Sequence, residues 1–305
     1  MLSWQGWVLN RIIRCYWLYL KQVLKYQRGA NSHHQAIYYL REKIRKIAKI
    51  PKNIISLPID MERVKGIWIE HGKTRKVILY LHGGAYVLGT PLLYANLAYH
   101  LSVAGNVSVL LVEYRLAPEH SFPKPIEDAL NAYYYLLDKG IKPQDIIIAG
   151  DSAGGGLAMA TLVSLRNAQQ VMPLAYIGIS PWFDLGLTGE SLQKNKKKDY
   201  IAHVLADWIL LWRDLYLQGM DPHHPLASPL YADLHSLPPM FMQVGENDVL
   251  LDDARRFTEK AKKAGIPVKL EIWEHMPHDW HLLANFLPEG RRAIAKIGEY
   301  INTLI

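Results

Sequence analysis

Apolar positions along this chain fall into short continuous runs, separated by longer stretches in which they recur every three or four residues. The β-branched runs are Ile54–Ile59, Gly66–Glu70, Val77–Leu81, Val107–Tyr114, Asp145–Ala149, Ala175–Ser180, Met240–Val244 and Val268–Trp273. Most lack polar alternation, as strands covered on both faces do. Helical periodicity fills Leu92–Ala104, Pro125–Lys139, Gly154–Ala168 and Asp252–Ala264, and Gly290–Leu304 closes the chain. This alternation predicts an α/β fold: a mostly parallel eight-stranded sheet flanked by helices on both faces, with right-handed crossovers.

Two regions break the rhythm. The first fifty residues read as helices. Over Trp7–Tyr26, Arg11, Arg14, Lys21 and Lys25 fall on one side of a helix and Leu9, Ile12, Ile13, Tyr16, Leu20 and Val23 on the other, which is an amphipathic helix and not a membrane span. A second amphipathic stretch, Gln35–Ile50, stops at Pro51. Between Ser180 and Met240 no strand is evident, only loop and a helix around Ala202–Leu217, with Trp208, Leu211, Trp212 and Leu215 on one face. Such a stripe reads first as core and second as part of a lid. The expected organisation is residues 1–50 as N-terminal cap helices and 51–305 as a catalytic domain with a cap insertion at about 186–222.

Composition changes this picture little. The 305 residues are 50% hydrophobic and 21% charged, enough for a sizeable core. The single cysteine, Cys15, forms no internal disulfide and fits a reducing, cytoplasmic setting. The net charge of +7 is uneven: no acid precedes Glu42, and Lys194, Lys196, Lys197 and Lys198 form a second cluster. No nucleic-acid motif accompanies either cluster, so solvated basic faces are expected and no nucleic-acid partner. Residues 1–28 suit peripheral contact with an anionic bilayer, but packing as part of the cap is the favoured reading. The interrupted apolar run matches no secretory signal, while an Arg-rich, acid-poor start also resembles an organelle transit peptide.

The chemistry is concentrated in Gly150-Asp151-Ser152-Ala153-Gly154, which joins the apolar run Ile146-Ile147-Ile148-Ala149 to a helical pattern. Flanking glycines permit a sharp strand-to-helix turn that exposes a serine hydroxyl near a helix N-terminus. In that context Ser152 is a candidate nucleophile. Tyr80-Leu81-His82-Gly83-Gly84-Ala85 ends another buried run. The N–H groups of Gly83 and Gly84, with that of Ala153, form a candidate oxyanion hole. A serine nucleophile needs a base and an acid that orients it, in the chain order Ser, Asp or Glu, His. The acids in range are Glu246, Asp248, Asp252 and Asp253, and the histidines are His275, His278 and His281. The three histidines match no familiar metal-ligand spacing. Asp151 is placed to hydrogen-bond the turn. An internal ion pair involving Arg115 and Glu119 is expected to anchor the loop after a central strand.

His82-Gly83-Gly84, Tyr114-Arg115-Leu116-Ala117-Pro118-Glu119-His120, Gly150-Asp151-Ser152-Ala153-Gly154, Ser180-Pro181-Trp182 and Leu226-Ala227-Ser228-Pro229-Leu230 follow one another in order. In these motifs, from about Val77 to the C-terminus, the chain resembles the hormone-sensitive-lipase-like group of α/β-hydrolases, which includes bacterial carboxylesterases and lipases. The resemblance implies the α/β-hydrolase fold and the catalytic residues Ser152, Asp248 and His278. It implies hydrolysis of small-molecule or lipid carboxylic esters of short to medium acyl chain through an acyl-enzyme, without cofactor or metal. The chain departs from the group at His278-Asp279-Trp280, where the family has His-Gly-Phe, and at Ala85, where many members have a third glycine. Trp182, Phe183, Trp208 and Trp212 are candidate pocket residues. Two other activities fit the motifs: a lactonase, deacetylase or amidase on the same fold, or a non-catalytic ligand-binding protein on a hydrolase scaffold. The presence of His278 argues against the last.

Overall fold

A computed structural model describes residues 3, 5, 32–51, 54–71, 75–202 and 208–304. The helix expected over Trp7–Tyr26 lies outside the described residues. Ser3, just before it, donates its backbone N–H and its Oγ–H to the carboxylate of Glu289 at 3.0 and 2.9 Å.

The elements, in chain order, are α1 (Ser32–Ile47), β1 (Ser56–Asp60), β2 (Lys65–Ile69), β3 (Val77–Leu81), α2 (Pro91–Gly105), β4 (Ser108–Glu113), α3 (Lys124–Asp138), β5 (Ile146–Asp151), α4 (Ser152–Asn167), β6 (Ala175–Ile179), α5 (Ser191–Lys194), α6 (Ile209–Leu217), β7 (Met240–Gly245), α7 (Leu251–Lys263), β8 (Val268–Trp273) and α8 (Pro288–Thr303). The strands form one eight-stranded sheet in the order β1-β2-β4-β3-β5-β6-β7-β8. The pairs β1–β2 and β2–β4 are antiparallel and all others parallel. The predicted α/β class and strand count hold.

The central strands read as unbroken apolar runs because both faces are covered. Along β3, Leu79 and Leu81 pack with Leu136 of α3 and Leu157 of α4 on one face. Ile78 and Tyr80 pack with Leu97 and Leu101 of α2 and Ile297 and Ile301 of α8 on the other. Side chains alternate across the sheet, so each residue of β3 finds an apolar layer. The outer strands β1 and β8 are only partly covered and mix exposed with half-buried positions.

Two expectations change. Of the helix expected around Ala202–Leu217, the described residues are helical over Ile209–Leu217, ending at the left-handed Gln218 (φ 48°); Ile201 and Ala202 form a turn, and residues 203–207 lie outside the described residues. Arg115 and Glu119 do not pair with each other. Arg115 grips the buried carboxylate of Asp128 at 2.7 Å, and Asp128 also accepts the Arg115 backbone N–H at 2.8 Å. Glu119 pairs with Arg41 of α1 at 2.8 Å, and Arg41 Nε donates to the Val87 carbonyl at 2.8 Å. The loop after β4 is thus tied to α3 on one side and α1 on the other. Removing one partner of a buried ion pair costs about 3–5 kcal/mol, and Arg115 is one-third exposed. We therefore expect Arg115→Ala to lower the unfolding free energy by about 2 kcal/mol, read from the denaturant midpoint. A change under about 0.5 kcal/mol would mean that Asp128 does not depend on this partner.

Candidate active site

Strand β5 delivers Ser152 to a turn that only tight packing makes possible. Ser152 has φ of 50°, the left-handed region that non-glycine residues avoid. A Cβ on Gly154 would lie 2.0 Å from the Leu81 carbonyl oxygen, and one on Gly150 would lie 2.4 Å from Gly154 backbone atoms. Both motif glycines are therefore needed for α4 to start against the end of β3. The Ser152 carbonyl accepts the Trp182 N–H at 2.8 Å, so the segment after β6 holds the turn from the other side.

The loop after β3 shows a division of labour among the glycines that differs from expectation. Gly83 donates its N–H to Asp151 Oδ1 at 3.0 Å, an oxygen that also accepts the Tyr80 hydroxyl at 2.9 Å. A Cβ on Gly83 would lie 2.2 Å from Asp151 Oδ2. Gly83, read from sequence as an oxyanion donor, thus spends its N–H on bracing the turn, and this is the hydrogen bond expected of Asp151. Gly84 (φ 115°) and Ala85 (φ 53°) turn the chain by positive φ. Both line the cleft beside Ser152, and their N–H groups meet no acceptor among the described residues. Ala153 is in the first turn of α4, where backbone N–H groups lack helical partners. His82 is structural: it stacks between Tyr94 and Tyr114 at 5.4 and 4.4 Å, and its Nδ1 lies 2.8 Å from the Gly83 carbonyl oxygen. Burial pulls its pKa down to about 4, so it is neutral at physiological pH.

The four acids occupy different positions. Asp248, fully buried, lies 3.1 and 3.2 Å from Nδ1 of His278 and also accepts the Leu250 N–H at 2.8 Å. Glu246 is half-exposed and accepts the His275 N–H at 3.0 Å, holding the outside of the same loop. Asp252 accepts the Ser191 N–H at 2.8 Å, and Asp253 accepts the N–H groups of Phe183 and Asp184 at 2.9 and 2.8 Å. His275 is exposed, and His281 is buried with Nε2 2.7 Å from Gln243 Oε1, its pKa pulled down to about 3 by burial. Of these acids and histidines, Asp248 and His278 contact each other, and His278 lines the cleft beside Ser152.

His278 is held more tightly than its sequence suggests. The pKa of His278 lies well above the ordinary histidine value: burial acts to lower it, but the carboxyls of Asp279 and Asp248 outweigh burial. Nε2 lies 3.1 Å from Asp279 Oδ2. Asp199, from the segment between β6 and β7, accepts the backbone N–H of Val249 at 3.1 Å and of His278 at 3.2 Å on one oxygen, and those of Ile201 and Ala202 on the other. Asn195 donates to the carbonyls of Glu246 and Asp248 at 3.0 and 2.9 Å. The segment between β6 and β7 therefore fastens together the loops that carry Asp248 and His278. Burial and the nearby Asp248 push the carboxyl of Asp199 up to about 7. Asp199, Asp248 and His278 bring ligand-type atoms within 4.8 Å of one another, but those atoms are engaged in the hydrogen bonds just given, so the cluster reads as scaffold. Neither Asp199 nor Asn195 carries a motif; one follows a lysine run and the other sits inside it.

Ser152 and His278 open into a cleft of about 230 Å³. Its apolar wall includes Leu88, Trp182, Ile209 and Trp212, with Ile44 from α1 and Ile201 and Ala202 from the insertion. Trp182 and Trp212, two of the four aromatic residues singled out in the sequence, line this cleft. Phe183 and Trp208 are not among the described lining residues. Phe183 is fully buried behind the wall, stacked on Phe257 at 4.0 Å, and Trp208 packs beside Trp212 at 6.5 Å.

Residues 78–282 match the model of a family described as alpha/beta hydrolase fold. An acetyl-hydrolase of Streptomyces hygroscopicus is 46% identical over 230 residues, covering 75% of this chain and 76% of that protein. An esterase of Acinetobacter venetianus is 37% identical over 248 residues, covering 81% of this chain and 82% of its own. Among solved structures, an esterase of the bacterial hormone-sensitive lipase family superimposes with a TM-score of 0.83 at 40% identity, over 91% of this chain and 92% of that one. The esterase EstE5, soaked with p-nitrophenyl butyrate, gives a TM-score of 0.85 at 38% identity over 94% of this chain and 98% of that one.

Proposed function

The chain belongs to the alpha/beta hydrolase fold family, among relatives of the hormone-sensitive-lipase type, and from that premise we infer that it is a carboxylic ester hydrolase working through Ser152, His278 and Asp248. The observation that supports the assignment of residues is the buried Asp248–His278 pair at 3.1 Å, whose histidine lines the same cleft as a serine in a left-handed turn. In this reading His278 takes the Oγ proton as Ser152 attacks the ester carbonyl carbon. Asp248 holds the imidazole by Nδ1 and stabilises the cation that forms. The carbonyl oxygen becomes an oxyanion, received by the N–H groups of Gly84, Ala85 and Ala153, each worth about 3 kcal/mol in the transition state. Collapse expels the alcohol, which takes the proton from His278. Water then adds to the acyl-enzyme, with His278 again as base, and releases the acid and Ser152.

We assign the cap to α1 together with the insertion at about 186–222. Ile44, Ile201, Ala202, Ile209 and Trp212 roof the cleft, and Tyr216 of α6 stacks on Tyr86 beside the oxyanion loop at 3.8 Å. A cleft of about 230 Å³ lies below the range of about 300–1,000 Å³ typical of drug-sized ligands. Substrates with short acyl chains follow. In a series of p-nitrophenyl esters from acetate to dodecanoate, we expect kcat/KM to peak between acetate and hexanoate and to fall at least about tenfold by dodecanoate. Faster turnover of a lactone or an anilide of matched size would reassign the activity within the fold.

A further inference from the structure

Asp279 occupies the position where the resembled group carries glycine, and its backbone is left-handed (φ 49°). Asparagine and aspartate tolerate that region better than most residues, but glycine still fits it best. The side chain is not turned to solvent. It is buried, lines the cleft, and sets Oδ2 3.1 Å from Nε2 of His278, the nitrogen that must receive the Ser152 proton. Its N–H is donated to Ser180 Oγ at 3.2 Å, which fixes the backbone beneath it. Its carboxyl also faces that of Asp151. Asp151 Oδ2 and Asp279 Oδ1 are both buried and accept no hydrogen bond. Burial and the neighbouring Asp279 carboxyl raise the proton affinity of Asp151.

We propose that Asp279 is a positioning residue for the base: its carboxyl, braced by Asp151, holds the Nε2 edge of His278 in the resting enzyme, so that Ser152 gains its base only when the Nε2 proton is released. The proposal rests on the esterase reading for its kinetic form. At low pH His278 is an imidazolium that donates Nδ1–H to Asp248 and Nε2–H to Asp279. Loss of the Nε2 proton to solvent frees the lone pair for the Oγ–H of Ser152. The groups that face this site are Asp248 from the loop after β7, Asp199 from the insertion, Asp151 at the end of β5, and the hydroxyls of Tyr80 on β3 and Tyr94 on α2. Burial raises Asp151 and Asp279 above the usual carboxylate range, while His278 and hydrogen bonds pull against it. The hydroxyls of Tyr80 and Tyr94 stay protonated, since burial and Asp151 push both well above the ordinary tyrosine value.

An opposite charge within hydrogen-bonding reach favours the imidazolium, so Asp279 moves the acidic limb of kcat/KM to higher pH. Asp279→Asn keeps the shape and removes the charge; Asp279→Gly removes the side chain and suits the left-handed backbone, so this second variant should fold even if the first does not. We would measure kcat/KM for p-nitrophenyl butyrate against pH, with products read by chromatography, in the wild type and both variants, and titrate the His278 imidazole by nitrogen NMR in the same proteins. The limb midpoint should fall by about one pH unit in both variants, with KM little changed, and the imidazole titration should fall with it. Midpoints that stay put or rise would overturn the proposal. A wild type that turns over no ester would sink the esterase reading instead, and the imidazole titration would still decide this one.

Discussion

Ser152→Ala should lower kcat for p-nitrophenyl butyrate by about a million-fold, with KM changed by less than about threefold. The substitution removes one oxygen from a residue whose backbone is locked by neighbours: the Trp182 N–H on its carbonyl, and the glycines that let α4 meet the end of β3. Alanine suits the left-handed φ of 50° no worse than serine does. The variant should therefore fold with an unchanged denaturant midpoint, which separates chemistry from stability. What activity remains comes from oxyanion donors and binding, about 10³–10⁴ over water in serine hydrolases generally. A variant that keeps more than about one-hundredth of wild-type kcat would mean that attack does not pass through this oxygen.

The second large effect separates the two rival acids. Asp248→Asn should cost about 10⁴ in kcat, because an amide at this position can present an N–H to Nδ1 of His278 and fix the wrong tautomer. Asp248 is fully buried and lies on that nitrogen at 3.1 Å. Glu246→Gln should change kcat less than about threefold, since its carboxylate is half-exposed and holds only the loop surface. The pair is read by steady-state kinetics on the same ester. A reversed ranking, with the larger loss at Glu246, would reassign the acid and with it the orientation of the base.

Much of this architecture was legible in the sequence because sheet and motif physics are local. Val77–Leu81 and Val268–Trp273 match their predicted limits, as an apolar run bounded by turn residues states its own length. Ser152 was legible because a strand, two glycines and a helix in series admit few other geometries. His278 and Asp248 were legible only as members of short sets, and the resemblance chose among them. What chooses physically is depth: Asp252 and Asp253 cap neighbouring backbone and Glu246 faces water, and none of that is written in spacing. Gly83 looked equivalent to Gly84. Only the structure shows its N–H turned to Asp151, a contact between the ends of β3 and β5. Asp199 was invisible for the same reason, since its four N–H donors come from three separate segments. Asp279 left a signal, an acid where the family has glycine, but its aim toward Nε2 depends on a backbone angle that no pattern reveals.

Ester hydrolysis by this chain requires Ser152 as the covalent nucleophile, and the most direct measurement is intact-protein mass spectrometry after a fluorophosphonate probe, with the labelled peptide sequenced. The prediction is one adduct per chain, located on Ser152 and absent from Ser152→Ala, formed far more slowly in His278→Ala. An adduct on another residue, or equal labelling of the Ser152→Ala protein, would contradict it.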